Sequence, residues 1–434
     1  MLLIFVKKTT SRLNYAFNLV LRDVIQISFK VTTSPEEFDT YEGPKFAYYS
    51  HSFEQEYFVQ SHTLLFENGI IEQDVVAFDW EDTKAFFSSS KRANFAFDVF
   101  AAAFYFAVRY EEYLPHKRDG YNRYEAEQSI ATKEGLLKKP IVNIWCERFW
   151  DSIKLAFPEL ERNKRDFELI TTLDIDNAYY YGKKGFVRSI AGYLVDVLSF
   201  KGESIVERTK VLLGKTKDPY DTYDYQLKIQ QKNKAKFIYF ILLGDYGPND
   251  KNIPFSNRRL KALIRHLADY AQVGIHPSYG ARNSFSQLEK EVFRLSPILK
   301  KEITQSRQHF LQLQFPETYR NLIDLDIVHD YTMGYASLSG FRSGMCTSYY
   351  FYDLDLEIET SLLIHPFAVM DSTLQFYLGV KPEQAIVHLK LMVDEVKKVN
   401  GTFISVWHND SLNEKGIWKG WRYVFEELIV YGKQ

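Results

Sequence analysis

From Phe167 to the C-terminus, short β-branched or aromatic runs alternate with stretches of helical periodicity, an order that few architectures accommodate. The runs are ELITTLDID from Glu168, KFIYFILLG from Lys236, QVGIH from Gln272, SRQHFLQ from Ser306, IVHDYTMGY from Ile327 and TFISVWH from Thr402. Helices fit between them. Ser256 or Asn257 is placed to cap RRLKALIRHLADYA, and Ser286 with Glu289 to form a capping box for QLEKEVFRL. Pro316 opens ETYRNLIDL, and Gly401 is the expected C′ glycine of KPEQAIVHLKLMVDEVKKVNG. Strands joined through helices imply a parallel sheet, wound open or closed as a (β/α) barrel. The charged segment from Gly185 to Asn233 reads as a helical excursion after the first of these strands.

The first part of the chain has another rhythm. Leu2 to Val6 reads as a strand, Ser11 as the cap of RLNYAFNLVLRDVIQ, and FAAAFYFAVRYEEYL, entered from about Phe97, as one long buried helix. After Pro158 and the charged ELERNKRD the character changes, so the boundary is expected near Asn163. This gives an α+β domain of unknown role over 1–163 and an α/β domain over 164–434, a division that suits a chain of 434 residues.

Charge narrows the partners. Lys and Arg number 54 against 56 Asp and Glu, without a block of either sign, which leaves no nucleic-acid footprint. The two cysteines, Cys146 and Cys346, form no C-x-x-C pair, so neither a thiolate metal site nor a disulfide framework is expected. The run after Met1 is short and is followed by Lys7 and Lys8, the reverse of a signal peptide's charge order. No segment reads as membrane-spanning, and a cytoplasmic address is the expectation. The oligomeric state is not legible.

The first strand of the second part ends in Asp174 and Asp176, separated only by Ile175. Side chains two apart on a strand share a face, and two carboxylates held together repel unless a proton or cation lies between them. A D-x-D at a strand end also serves simply to cap a following helix. What favours chemistry is the polar residues at the ends of later strands: His276 closes QVGIH, Arg307 and His309 lie in SRQHF, and His408 closes ISVWH.

At these residues the chain resembles the polysaccharide deacetylases, the NodB-homology carbohydrate esterases, over about Phe167 to the C-terminus. TTLDID resembles the first motif of that family, GIHPSY the second, SRQHF the arginine motif, HDYTMGY the strand of the fourth and VWHND the last. The first half, with FYFAVRYEEY, resembles an uncharacterised domain that precedes such deacetylase domains in bacteria. The resemblance implies a distorted (β/α) barrel that hydrolyses N-acetyl or O-acetyl groups on a glycan. Asp174 would be the catalytic base, Arg307 its orienting cation, His408 the general acid, and Asp176 and His276 ligands of a divalent metal, zinc first, with cobalt, manganese or nickel as alternatives.

One position departs from that pattern. The family's second metal histidine falls four residues after the first, where this chain has Gly280. Pro277 disfavours helical backbone at His276, so a one-turn histidine pair would be awkward in any case. His309, two residues from Arg307 on an expected strand, is the replacement ligand if Arg307 reaches Asp174. Tyr279, Trp407, Arg342 and Tyr335 are the expected substrate contacts; His365 and Asp371 are assigned supporting roles. Two other readings compete: a deacetylase-like domain that binds a glycan or protein without efficient chemistry, and a glycosyltransferase using Asp174 and Asp176 as a metal-diphosphate clamp. The latter leaves His276, Arg307 and His408 without a joint role.

Overall fold

The computed structural model describes residues 1–51 and 57–434. Strands β1 (Leu2–Val6), β2 (Phe29–Thr32), β3 (Lys45–Tyr49) and β4 (Tyr57–Gln60) form a parallel sheet in the order β2-β1-β3-β4. A hairpin of β5 (Phe78–Trp80) and β6 (Thr83–Ala85) follows. Thr10, not Ser11, caps the first helix, accepting from Leu13 N. The expected long helix is broken: Val99–Ala107 ends, Arg109 takes a left-handed φ of 57°, and Tyr110–Tyr113 begins a new turn. The cause is visible in the packing, because the break lets the buried Arg109 guanidinium reach Glu111, Glu112 and Tyr335.

The larger sheet has nine strands in the order β12-β13-β11-β10-β9-β8-β7-β15-β14. They are β7 (Glu168–Ile175), β8 (Lys236–Ile241), β9 (Gln272–Ile275), β10 (Gln305–Ser306), β11 (His329–Asp330), β12 (Tyr349–Asp353), β13 (Ile358–Ile364), β14 (Val369–Met370) and β15 (Thr402–His408). Every pairing is parallel except β12 with β13. The chain is thus mixed α/β, and among the described residues no pairing joins β12 to β14, so barrel closure does not follow from the ladder. On one face of the strands Phe240 and Val406 pack in a cluster with Tyr331 and Phe367, which follow strand ends, while Leu173, Ile175 and Trp407 face the helices.

Helix starts and stops correct several sequence expectations. Ser284 caps the helix Phe285–Leu299, accepting from Gln287 N, so Ser286 and Glu289 form no capping box. After Pro382–Lys398 the left-handed residue is Asn400, with φ 48°. Gly401 is required for room instead: a Cβ there would lie 2.2 Å from Cys346 Sγ. Between β7 and β8 the expected excursion is three helices, Phe186–Leu198, Gly202–Leu212 and Tyr223–Asn233. No helix is long and apolar enough to cross a membrane among the described residues.

Candidate active site

The ladder brings the two ends of the proposed machinery together. Asp174 on β7 is the register partner of His408 on β15, and neighbours on parallel strands present side chains to one face. Arg307 follows the two-residue β10, and its Nη1 donates to Asp174 Oδ1 at 3.0 Å and to Thr172 Oγ1, while Nε donates to the Tyr331 carbonyl at 3.0 Å. Arg307 is fully buried, stacked over the Phe240 ring at 4.7 Å, so its contact with Asp174 is held from below.

Asp176, His276 and His309 form the centre, with one ligand atom from each lying within 4.8 Å of the others. His276 Nε2 is 3.1 Å from Asp176 Oδ1, and His309 Nε2 is 3.4 Å from Asp176 Oδ2. The tautomers follow from the far nitrogens. His276 Nδ1 faces the Arg307 carbonyl, which only accepts, and His309 Nδ1 lies 2.8 Å from Asp250 Oδ1. Each Nδ1 therefore carries the proton, and in the neutral ring each Nε2 turns a lone pair toward Asp176. Asp176 Oδ1 is buried and has no hydrogen-bond partner; its close approach to His276 lacks hydrogen-bond geometry. Converging lone pairs around an orphaned carboxylate oxygen fit a divalent cation, and the second partners, a carbonyl and a carboxylate, are those that orient metal-binding histidines.

His309 reaches this place by a route other than the expected strand. The ladder ends at Ser306, and His309 opens a short 3₁₀ turn, His309–Leu311, in which Phe310 is left-handed at φ 57°. Its position is set by His309 N donating to the Pro277 carbonyl at 3.0 Å and by Asp250. Asp250 also accepts from the amides of Tyr279 at 2.9 Å and Gly280 at 3.1 Å. The backbone at Gly280 thus holds the carboxylate that holds His309.

The charges of the group are mutually supporting. Burial raises the Asp176 carboxyl, but His309, His276 and His408 outweigh it and hold the group well below the usual range. Burial lowers His309, and the Asp176 charge with the Asp250 bond overcomes this, leaving it at about 9 without a cation. His408 is likewise depressed by burial and raised further by Asp371, to a net position well above an ordinary imidazole. Asp371 Oδ1 lies 2.7 Å from His408 Nδ1, and Oδ2 accepts from the His408 amide at 2.8 Å. His408 Nε2 is left facing Asp176 Oδ2 at 3.7 Å.

Two hollows open from this centre. One of about 280 Å³ is lined by Asp174, Asp176, His276, Met370, Tyr377 and His408 among others. The second, about 420 Å³, lies across Asp176, His309 and His408 and is bounded by Tyr220, Phe376, Asp410 and Trp418. None of the four expected substrate contacts lines these two hollows. Trp407, 1% exposed, points to the opposite face of β15 and packs on Trp421 and Phe425, because adjacent strand residues alternate. Arg342 is bound by Glu112 and the Gly334 carbonyl, and Tyr335 accepts from Arg109; both border a third hollow of about 190 Å³ that adjoins the first along Arg123, Leu311, Ala336 and Tyr377. Tyr279 lies against Phe310 and accepts from Arg282 at 2.8 Å, beside the centre and outside the lining of either hollow.

Residues 2–158 match a family of unknown function, DUF7033. No curated protein matches. Among solved structures, a protein titled "putative polysaccharide deacetylase" from Mycobacterium smegmatis is 13% identical, with TM-score 0.41, over 62% of this chain and 85% of that one. The Puue allantoinase is 11% identical, with TM-score 0.41, over 62% and 85%. The polysaccharide deacetylase Bc1974 from Bacillus cereus is 9% identical, with TM-score 0.29, over 61% and 87%.

Sequence reasoning missed Asp250 and Arg123. Asp250 follows KFIYFILLG in a loop of glycine, proline and asparagine, and only its place past a strand end marks it. Arg123 comes from the first 163 residues, yet it borders the hollow that Asp174, Asp176 and His408 line and donates to the Phe310 carbonyl at 3.2 Å and to Tyr377 Oη at 3.1 Å. No periodicity links such distant segments.

Proposed function

We propose that this chain is a metal-dependent hydrolase that removes acetyl groups from an N-acetylated glycan. The observation that carries the reading is the convergence of Asp176, His276 and His309, flanked by Asp174 with Arg307 and by His408 with Asp371. A divalent ion held by the first three residues, zinc by preference for this nitrogen and oxygen set, supplies polarisation of the acyl oxygen and a more acidic water. Asp174 takes the proton of the attacking water on Oδ2, the oxygen that Arg307 leaves free. As the carbon–nitrogen bond breaks, His408 gives its Nε2 proton to the departing amine, while Asp371 keeps the ring aligned. Acetate and a free amine leave, and the proton on Asp174 returns to His408 through solvent.

The glycan is supported by the motif resemblance and by the aromatic borders, since Tyr220, Phe376, Tyr377 and Trp418 offer stacking faces on either side of the centre. Metal analysis of protein purified without chelator, with acetate release from N-acetylated oligosaccharides, tests the reading. Stoichiometric metal that Asp176→Ala loses together with acetate release is expected. Absence of metal from both proteins would favour a binding module. A glycosyltransferase clamp is disfavoured because Asp174 is already engaged by Arg307.

A further inference from the structure

The excursion between β7 and β8 carries its polarity the wrong way round for water. Its first two helices, Phe186–Leu198 and Gly202–Leu212, pack through polar groups: Arg208 donates to Asp196 at 2.9 and 2.8 Å, and Tyr193 Oη meets Thr209 Oγ1 at 2.8 Å. Both ions of the pair are buried. The apolar side chains point outward instead. Phe200 at the tip is 95% exposed, Leu198 78%, Leu213 65%, and Leu194, Val195 and Val197 are more than half exposed.

The charges around this patch are mostly positive. Residues 183–217 hold eight Lys or Arg against three Asp or Glu, in a chain whose net charge is −2. Asp196 is taken by Arg208, and Glu207 by Lys415 and Tyr181, which leaves Glu203 as the acid facing solvent. Lys183, Lys201, Lys210 and Lys215 are exposed and have no ion pair among the described residues. An apolar face rimmed by lysines matches the acyl boundary and the phosphates of an anionic bilayer. A second copy matches poorly, because two positive rims would meet.

We propose that this helical pair docks on the surface of an anionic lipid bilayer, with Phe200 and Leu198 entering the acyl region and the lysines at headgroup level. The pair lies on the segment that joins β7 to β8. The inference is independent of the proposed reaction.

Flotation of the full chain with vesicles of equal parts phosphatidylglycerol and phosphatidylcholine tests it. Partitioning should be at least about tenfold stronger than on phosphatidylcholine alone, and Leu198→Ser with Phe200→Ser should reduce it by about tenfold or more. Both side chains are exposed, so unchanged thermal melting checks that the variant is folded. Lys201→Gln with Lys210→Gln should lower binding to the anionic vesicles only. Equal partitioning on both vesicle types, none on either, or a serine variant that binds like the parent would overturn the proposal. So would a dimer in sedimentation that the serine substitutions dissociate.

Discussion

The carboxylate of Asp250 accepts from His309 Nδ1 and from the amides of Tyr279 and Gly280, so a change there reaches His309 Nε2, the nitrogen that faces Asp176, through the imidazole tautomer. Asp250→Asn is expected to weaken divalent-metal affinity about 10- to 100-fold while leaving the ligands in place; calorimetric titration with zinc measures it. Gly280 contributes its amide and not an absent side chain: a Cβ there would meet Ser278 Oγ at 3.6 Å and Asp250 Oδ2 at 3.8 Å, ordinary contacts. Gly280→Ala should therefore shift stability by less than about 0.5 kcal/mol and leave metal affinity unchanged, whereas His309→Ala should abolish tight binding in the same titration. Asp174, His276 and His408 could be read from their places at strand ends. Asp250 could not, because it lies in a loop, its partners come from two other turns, and such segments carry no period.

Elements were legible where a run of β-branched residues was long. β7 and β15 lie where TTLD and ISVWH put them, and their register pairs Asp174 with His408. β10 and β11 shrank to two residues because their polar members found other partners: Arg307 turns inward to Asp174, and Asp330 accepts from Thr332 N and Oγ1 at 2.8 Å, a local turn that ends the ladder. The antiparallel pair β12 and β13 went unread, since YYFYD and IETSLLI sit among charged and aromatic residues that no helix separates. The connection into β15 yields a sharper test. Gly401→Ala places a methyl on Cys346 Sγ, and the overpacking should cost about 1–3 kcal/mol, read as a lower midpoint in urea unfolding. Adding Cys346→Ala should recover part of the loss.

At the scale of the whole molecule, the two halves meet through a buried charge network. Glu112, from the first half, bonds Arg342 of the second, and Arg109 binds Glu112, Tyr335 and the Arg342 carbonyl. Burial raises the Glu112 carboxyl, but Arg342 and Arg109 outweigh it and bring it to about 2 from an ordinary 4.5. A depressed carboxyl stabilises the fold fully above its unfolded value, and the stabilisation is lost as pH falls from 4.5 toward 2. Its size is on the order of 3 kcal/mol. Glu112→Gln leaves two guanidinium groups short of a charge and should destabilise by about 3–5 kcal/mol at neutral pH. The gap to the parent should close through that acid window in denaturant titrations. A gap independent of pH would remove the ionic explanation.

The first half also reaches past its own core. Arg123 stands where the hollow over the acid pair meets the one behind it, and it fastens Phe310 and Tyr377 as it does so. One bank of the groove is therefore built by residues that share no strand with the other bank. Prying Arg123 away from Phe310 and Tyr377 would widen that channel without parting a strand of either sheet.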